Sequence, residues 1–428
     1  MKLIHLGAKD TVTGSCHLLQ TSGLNLLVDC GMAQGRDRTA PMTEWPAAPD
    51  AIDCLFLTHA HLDHIGRVPD LIRAGFRGEI LCTHATKALI GPMLEDALGF
   101  TSFSRDEQAE LLAVIDEMTW GFEYGETFDL KKGIRFSLGR AGHILGSCWI
   151  RFTLPDGESV VFSGDLGAAD TPLLPDPDVP EPCDLLVLES TYGDRIHEDR
   201  TRRIDRLGRI LKRRLSDGGK VFIPAFSLGR TQELIYEMDR LFADPDSGLR
   251  KVPVFIDSPL GLTITDIYSR LSAFWDREAR DLLRRGDHPI DFDHLYAVEN
   301  HSAHRKLLDL SDPAIIVAGS GMCTGGRIVD HLREGLADPR NDVLFVGYQA
   351  AGTPGRDIVR YADRPNGYVA LDGDRCPIRA RIHTLTGYSA HADAAGLAAW
   401  ARAANPRTLR LVHGESAARS ALARRLGR

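Results

Sequence analysis

The sequence contains no low-complexity tract, no short-period repeat and no apolar run of the about 20 residues needed to span a membrane. These absences argue against a disordered tail, a solenoid and a transmembrane helix. Polar residues interrupt the N-terminal stretch MKLIHLGAKD at once, so neither a signal peptide nor a transit peptide is expected. We therefore expect a cytoplasmic protein with no membrane partner.

The C-x-x-C spacing is absent, since no two of the eight cysteines stand in this relation. This argues against a structural zinc site built from cysteine and favours buried thiols in a reducing compartment. The formal net charge of −8 gives no general attraction to nucleic acids or anionic membranes. A polyanionic substrate would need a local positive site, which bound metal ions can supply.

Short apolar runs that end abruptly in polar or glycine-containing turns recur along the chain. They are too short for helices and read as buried strands, with helical patterns between several of them, which predicts an α/β fold. A chain of 428 residues is expected to form two domains. The predicted strands cover residues 24–28, 54–57, 160–162, 185–188, 221–223, 252–256, 315–318, 343–346 and 409–412.

The strongest chemical signal is the segment THAHLDH, residues 58–64, which follows one of these strands. Imidazole and carboxylate groups together suit zinc, manganese or iron. In an extended turn His59 and His61 share one side, whereas Asp63 and His64 face differently, so the segment predicts two half-sites. Three residues at strand ends or glycine-flanked turns are candidates to complete them, with a carboxylate able to bridge two metals: His143, Asp165 and His413.

The pattern H-x-H-x-D-H, followed by Gly-His-x-x-Gly and Ser-Gly-Asp, resembles the metallo-β-lactamase fold. The resemblance implies an αββα sandwich that holds two metal ions at one edge. His59, His61 and His143 would bind one ion, and Asp63, His64 and His413 the other, with Asp165 between them. Asp29 in Val-Asp-Cys-Gly would orient the ligands rather than bind a metal.

Three further motifs resemble those of the β-CASP nucleases, which insert an additional α/β domain into this fold. They are Glu189 in LESTYGD, His391 in TGYSAHAD and His413 in VHGE. Residues 224–233, 318–327 and 347–356 resemble the inserted domain, so the similarity extends from Leu6 to Glu415. His413 stands where DNA-repair members typically have valine, which favours RNA. The chain is most similar to minimal bacterial relatives of the pre-mRNA 3′-end cleavage subunit.

The proline-rich stretch 172–182 and the polar, turn-rich stretch 363–373 indicate connectors around a second domain. With this resemblance they predict a first metallo-β-lactamase part at 1–195, a β-CASP insert at 196–362 and a C-terminal metallo-β-lactamase part at 363–428. The resemblance also implies two zinc ions per chain, with manganese as the alternative, single-stranded RNA as the substrate and a homodimer. Neither an N-terminal KH region nor a long C-terminal extension is expected.

The expected activity is that of an endoribonuclease in which a hydroxide activated by two metals attacks the phosphodiester, with 5′-exonuclease activity as an addition. The predicted catalytic residues are Asp63, Glu189 and His391. His391 would be the general acid and Glu189 would orient it, and the resemblance implies 3′-hydroxyl and 5′-phosphate products. Glycine-containing turns before helices predict phosphate contacts. The predicted substrate-binding residues are Ser227, Arg230, Ser320, Arg327, Arg356 and Ser389, and Ser389 is also the expected N-cap of a helix through Trp400.

Two other functions stay open on the sequence. A thioesterase or lactonase of the same fold would have no obvious use for the insert or for Glu189 and His391. A non-catalytic RNA-binding scaffold would be expected to have lost metal ligands, whereas all seven are present in this chain.

Overall fold

The computed structural model describes residues 1–214, 218–249 and 251–428. They form two compact units, one of residues 1–196 and 391–428 and the other of residues 197–390. The sequence interpretation placed the end of the insert at residue 362. In the structure the chain returns to the first unit only at His391, because residues 381–384 form a strand of the second unit's sheet.

Twenty strands and thirteen α-helices occur in the described residues. In chain order the strands are β1 Lys2–Gly7, β2 Cys16–Thr21, β3 Leu24–Val28, β4 Cys54–Phe56, β5 Glu79–Thr83, β6 Thr119–Phe122, β7 Thr127–Asp129, β8 Arg135–Arg140, β9 Cys148–Thr153, β10 Ser159–Phe162, β11 Leu185–Glu189, β12 Val221–Pro224, β13 Val254–Asp257, β14 Leu295–Ala297, β15 Ile315–Ala318, β16 Asp342–Phe345, β17 Tyr368–Leu371, β18 Asp374–Pro377, β19 Arg381–Thr384 and β20 Thr408–Val412. The helices are α1 Leu62–Ile65, α2 Val68–Arg73, α3 His84–Leu98, α4 Arg105–Met118, α5 Arg203–Arg214, α6 Arg230–Ala243, α7 Pro259–Arg270, α8 Arg277–Arg284, α9 His301–Leu308, α10 Arg327–Gly335, α11 Pro354–Tyr361, α12 Ala394–Ala403 and α13 Ser416–Arg425. Each predicted apolar run coincides with one of these strands, and the ends of run and strand differ by at most two residues.

The first unit contains two six-stranded sheets, ordered β1-β2-β3-β4-β5-β6 and β20-β11-β10-β9-β8-β7. One core cluster takes buried side chains from both sheets, including Phe56 from the first sheet and Phe136 and Phe152 from the second. The ring of Phe56 packs edge-to-face on those of Phe136 and Phe152, at centroid distances of 5.1 and 4.8 Å. Burying each phenylalanine contributes about 1.5–3 kcal/mol relative to leaving it exposed.

A second cluster covers the other face of the second sheet. Leu397 and Trp400 of α12 and Leu422 of α13 pack there on Leu186 and Leu188 of β11. The β sandwich therefore has helices against it, which confirms the expected metallo-β-lactamase architecture.

Strand direction explains where the polar residues of the first unit collect. β3 and β4 pair in parallel, and so do β10, β11 and β20, while β8 and β10 are both antiparallel to β9. β8, β10, β11 and β20 therefore end at the same edge of their sheet, and polar loops follow them there.

The second unit is built on a parallel sheet ordered β14-β13-β15-β12-β16-β19, with a separate antiparallel hairpin of β17 and β18. Its core includes Phe222, Ile316 and Phe345 from the sheet and Ile328 and Leu332 from α10. Because neighbouring strands run in the same direction, the loops after β12, β13 and β15 meet at one edge, where ligands collect in α/β sheets.

Candidate metal centre

The histidine-rich segment lies in the loop after β4 and in the first turn of α1. His61 is the N-cap of α1, which holds Asp63 and His64 in its single turn. His59 and His64 are buried, at 0 and 1% exposure. The segment therefore combines these buried histidines with half-buried residues at 61–63.

The first predicted metal group converges on one point. Nδ1 of His61 lies 3.1 Å from Nε2 of His59 and 3.2 Å from Nε2 of His143. Two ligands bound to one zinc ion at about 2.0–2.1 Å in tetrahedral geometry lie about 3.3 Å apart. The three nitrogens are thus spaced as the ligands of a single ion.

The second predicted group lies beside the first. Oδ2 of Asp63 is 3.9 Å from Nε2 of His64 and 3.6 Å from Nε2 of His413. Oδ2 of Asp165 is 3.7 Å from His59 Nε2 and 3.4 Å from His64 Nε2, so its carboxylate touches both groups. The structure brings all seven predicted ligands together, with Asp165 between the two groups.

The other ring nitrogens of three of these histidines have protein partners. Nδ1 of His64 lies 2.7 Å from Oδ2 of Asp29, and those of His59 and His413 lie 3.1 Å from the hydroxyls of Thr58 and Thr191. Such contacts fix which nitrogen carries the proton and how the ring is turned. They leave Nε2 of each ring for a metal.

Several buried atoms among these ligands have no hydrogen-bond partner. Among the described residues, Nε2 of His64, Nε2 of His413 and Oδ1 of Asp165 are buried and accept or donate no hydrogen bond. Leaving such groups unsatisfied costs about 1–3 kcal/mol each, more for charged groups. Divalent ions would satisfy them, so the residues present fit two zinc ions.

Asp29 lies behind the ligands and accepts hydrogen bonds that orient them. Its carboxylate accepts hydrogen bonds from the backbone N–H and the hydroxyl of Thr58 and from the hydroxyl of Ser15. Asp29 (φ 59°) and His413 (φ 51°) adopt left-handed backbone conformations, which cost energy and occur where the surroundings impose them. Sequence reasoning missed the roles of Thr58, Thr191 and Ser15, although Thr58 directly precedes His59 and Thr191 lies two residues after Glu189.

Glu189 and His391 form a pair next to this centre. Oε1 of Glu189 is 3.2 Å from Nδ1 of His391, and Nδ1 is 3.8 Å from Oδ2 of Asp165. The Glu189 carboxylate also accepts hydrogen bonds from the backbone N–H groups of Leu166 and Thr191. Burial alone would lower the pKa of His391, but Glu189 and Asp165 outweigh it and raise the pKa to about 9.

For two of the ligand histidines, burial outweighs the nearby Asp165 carboxylate and the pKa falls. Burial lowers the pKa of His59 well below its usual value, with His64 adding to the effect, and it lowers that of His143, with His391 adding. Both rings are therefore neutral near pH 7. Neutral imidazole is the form that binds a metal.

Three serine loops meet at the carboxyl edge of the second unit's sheet. Ser227, Ser258 and Ser320 follow β12, β13 and β15, and the hydroxyls of Ser227 and Ser258 lie 3.0 Å apart. A Cβ added at Gly319 would lie 3.3 Å from the Ser227 hydroxyl and 3.6 Å from that of Ser258. Helices α6, α7 and α10 begin just after these loops, so their N-terminal N–H groups favour an anion here.

Two predicted phosphate contacts are placed differently from the expectation. The guanidinium of Arg230 is buried and pairs with Glu233, a neighbour on α6. Arg327 Nη1 pairs with Asp257 at 2.7 Å and donates to the carbonyl of Val298. Both charges are already compensated inside the protein, which argues against phosphate contact. Glu233 is an i,i+3 neighbour of Arg230, so a helix through both residues already allows this pair. Asp257 lies 70 positions from Arg327, so sequence could not show the second pair.

The remaining predicted substrate residues lie in the second unit. Arg356 is exposed in the first turn of α11, which suits a phosphate contact. Ser389 is buried, and its carbonyl accepts a hydrogen bond from Arg200. The expected capping role of Ser389 is wrong. Asp393 is the N-cap of α12, because its carboxylate accepts from the N–H groups of Ala395 and Gly396.

Two general expectations can be compared with the described residues. All eight cysteines are buried and free, as expected. In the part of the chain that the structure covers, no helix has the length and apolar character needed to cross a bilayer.

Comparison with known families divides the chain into three parts. Residues 10–202 match the metallo-beta-lactamase superfamily, and residues 231–358 match the Beta-Casp domain. Residues 375–428 match the family described as the Zn-dependent metallo-hydrolase RNA specificity domain. The matched regions contain the metallo-β-lactamase motifs and the β-CASP motifs on which the resemblance was based.

Individual relatives extend over nearly the whole chain. Ribonuclease TTHA0252 of Thermus thermophilus is 38% identical over 418 residues, which are 97% of this chain and 93% of the relative. Transcription termination factor FttA of Methanocaldococcus jannaschii is 30% identical, covering 97% of this chain and 67% of the relative. Cleavage and polyadenylation specificity factor 73 of Drosophila melanogaster is 31% identical, covering 96% and 59%.

Proposed function

The chain belongs to the β-CASP family of metallo-β-lactamase-fold ribonucleases, and from this we propose that it is an endoribonuclease dependent on two zinc ions. It cuts single-stranded RNA and leaves 3′-hydroxyl and 5′-phosphate ends. The observation that carries the proposal is the Glu189–His391 pair beside the seven metal ligands. A carboxylic-ester hydrolase of this fold has no evident need for that pair.

The metal ligands fall into two sets that share Asp165. His59, His61 and His143 would hold one ion, and Asp63, His64 and His413 would hold the other. When bound, the ions supply a hydroxide nucleophile at neutral pH and neutralise charge on the phosphate oxygens. Manganese is the alternative metal, because the same nitrogen and oxygen ligands accept it.

His391 provides the proton for the leaving group. Its Nδ1 faces Glu189, so the Nε2 proton is the one passed to the 3′-oxygen of the ribose that departs. Glu189 is fixed by two backbone N–H groups, and its negative charge stabilises the imidazolium before transfer. Proton transfer by a positioned group contributes about 10²–10⁴-fold to the rate.

The serine loops of the second unit are proposed to hold the RNA backbone. Ser227 and Ser320 offer hydroxyls close to the N-termini of helices, and Arg356 offers an exposed positive charge. Ser389 is kept as a proposed contact from the resemblance alone. Contacts of this kind bind phosphate without reading the base sequence.

A cleavage assay tests the proposal directly. The zinc-loaded full chain is incubated with 5′-end-labelled single-stranded RNA, the matching DNA and a generic carboxylic ester, with and without chelator. Internal fragments that carry 3′-hydroxyl and 5′-phosphate ends are expected from RNA only, and chelator should abolish them. Release of mononucleotides from the 5′ end would reveal the additional exonuclease activity.

Variants make the assay decisive. Asp165→Ala should abolish cleavage and reduce bound zinc. His84→Ala is the matched control, because this histidine lies on α3 with 51% of its side chain exposed. Intact RNA together with cleaved ester would end the nuclease proposal. Sedimentation of the same samples tests the homodimer that the resemblance implies.

A further inference from the structure

A buried cluster in the second unit has no part in the proposed chemistry. We call Asp257, His304, Arg327 and His331 the Asp257 cluster. The Asp257 carboxylate is 0% exposed at the end of β13. Its Oδ2 lies 2.6 Å from His304 Nδ1 on α9 and 2.7 Å from His331 Nε2 on α10, and its Oδ1 lies 2.7 Å from Arg327 Nη1. One side chain thus joins a strand to two helices.

The distances identify these contacts as hydrogen bonds rather than as a metal site. The ligand atoms of the His59, His61 and His143 group are 3.1 and 3.2 Å apart, close to the about 3.3 Å expected around one tetrahedral zinc ion. At 2.6 and 2.7 Å, the Asp257 contacts leave no room for such an ion and match charge-assisted N–H···O bonds.

The charge of the cluster is balanced within it. Burial raises the pKa of Asp257, but the donors of His331, His304 and Arg327 outweigh burial and lower it. Asp257 is therefore ionised and pairs with the Arg327 guanidinium, which also donates to the carbonyl of Val298. The positive charge of Arg327 is therefore compensated by Asp257 and is not available to an RNA phosphate.

Arg327 and His331 tie the start of α10 to Asp257 at two places one turn apart. The loop of residues 319–326, which carries Ser320, ends where α10 begins. Its two ends are in close contact, since a Cβ at Gly326 would lie 2.5 Å from the carbonyl oxygen of Gly319. The N–H of Ile328 donates to that same oxygen at 3.0 Å. A shift of the first turn of α10 would therefore move the loop with it.

We propose that Asp257 is a positioning residue that fixes the Ser320 loop for RNA binding by clamping the start of α10 through Arg327 and His331. This inference rests on the proposed function, because it assigns the loop a phosphate contact. Arg327 acts on RNA only through the loop and not by touching it.

Asp342 offers a matched control for this role. It is equally buried, at 1% exposure, and accepts from His383 at 2.6 Å and from Arg381 at 2.9 Å. It begins β16, however, and so lies at the opposite end of a strand in the same parallel sheet. Asp257→Asn and Asp342→Asn remove the same charge from similar partners, at the two ends of the strands.

The test is steady-state cleavage of a short single-stranded RNA by both variants of the zinc-loaded full chain, with the melting temperature of each recorded. Weakening a hydrogen bond to a charged group should raise KM for Asp257→Asn by about tenfold or more, while kcat changes little. Asp342→Asn should keep KM near the wild-type value at a comparable loss of melting temperature. Equal KM values for the two variants would overturn the inference. If the wild type leaves RNA intact, the proposed function fails instead.

Salt dependence separates positioning from direct contact. Each phosphate contact with a single strand contributes about 0.7 to the slope of log affinity against log salt. Arg327→Gln should raise KM without changing this slope, and Arg327→Lys should recover part of the loss by restoring the pair with Asp257. A slope lower by about 0.7 in Arg327→Gln would show that Arg327 touches phosphate. Loss of one bound metal ion per chain in Asp257→Asn would show that the cluster is a metal site, and either result overturns the inference.

Discussion

Glu189 and His391 are 202 positions apart in the chain, yet Oε1 of one lies 3.2 Å from Nδ1 of the other. Glu189 is the last residue of β11, and His391 forms a β-bridge with Gly167, just beyond the neighbouring strand β10. The parallel pairing of β10 with β11 thus creates the pair. A carboxylate this close favours the imidazolium form that a general acid requires.

His391→Ala should lower kcat for RNA by about 10²–10⁴-fold, the usual contribution of a general acid. The reason is that a ribose 3′-oxygen is a poor leaving group and must be protonated as it departs. The same variant should lose far less activity on an aryl phosphodiester, because a nitrophenolate departs without a proton. Parallel kinetics on the two substrates measure the difference.

Glu189→Gln provides the intermediate case, since it keeps the size of the side chain and removes only its charge. Its kcat for RNA should lie between the values of the wild type and of His391→Ala. Equal losses of His391→Ala on RNA and on the aryl substrate would mean that His391 serves metal or substrate binding rather than proton transfer. His84→Ala, far more exposed, should match the wild type on both substrates.

Local patterns predicted nine of the twenty strands in the described residues and several of the candidate metal ligands that the structure brings together. The apolar runs ending at Val28, Leu57 and Phe162 contain β3, β4 and β10, whose carboxyl ends carry the site, as the alternation of buried runs and polar turns indicated. The spacing of His59, His61, Asp63 and His64 is local too. The turn and one helical turn bring the four residues together, while the contact with Asp29, 35 positions away, orients the ring of His64.

Residues whose role depends on distant partners could not be predicted in this way. Arg327 follows a glycine turn, as phosphate-binding residues do, but folding places Asp257, 70 positions away, against it. The pair of Arg230 with Glu233 is local to α6. Thr58 acts through the Asp29 carboxylate, 29 positions away. The end of the insert was missed because β19 pairs with β16, a contact between segments about 40 residues apart that no local signal marks.

Asp29→Asn should weaken binding of the ion held by Asp63, His64 and His413 by about 10–100-fold, the usual effect of removing a group that orients a ligand. Asparagine tolerates the left-handed backbone at this position. It replaces one acceptor oxygen with an amide that faces the donors of Thr58, Ser15 or His64. Zinc competition with a chromophoric chelator measures the affinity without relying on activity.

Asp53→Asn is the control for that substitution. The Asp53 carboxylate accepts from the backbone N–H of Asn25 at 2.8 Å, just before β4 and so at the opposite end of the strand from the metal ligands. Its zinc affinity should equal that of the wild type. If Asp29→Asn also binds zinc as the wild type does, the hydrogen bond between Asp29 and His64 does not orient the ligand.

Asp239→Asn should stabilise the second unit at high pH. Burial and the nearby charge of Asp287 raise the pKa of Asp239 to about 7, against about 3.9 in an unfolded chain. Between these values the folded chain holds a proton that the unfolded chain has lost. Stability therefore falls as the pH rises from about 4 to about 7, and the full penalty is present above that range.

The expected result is a melting temperature higher by about 2–4 °C for Asp239→Asn at pH 8 and equal to the wild type near pH 4. Differential scanning fluorimetry over this range gives both values. Asp266→Asn, whose side chain is 67% exposed beside Arg270, should show no such pH dependence. A constant difference at all pH values would mean that the asparagine acts through packing rather than through the proton.

Phe152→Ala should destabilise the sandwich of the first unit by about 3–5 kcal/mol, because it removes a fully buried ring and leaves a cavity. The ring packs on Phe56 across the two sheets and on Phe162 of the adjacent strand, at centroid distances of 4.8 and 6.1 Å. Phe100→Ala removes the same group where it is 83% exposed, so it should change stability by less than about 0.5 kcal/mol.

Two units need not unfold in one step, so hydrogen exchange of individual strands is the appropriate measurement. Faster exchange in β4 and β9 of Phe152→Ala, with Phe100→Ala unchanged, is expected. Similar exchange in the two variants would mean that the sheets are not held together by this aromatic cluster.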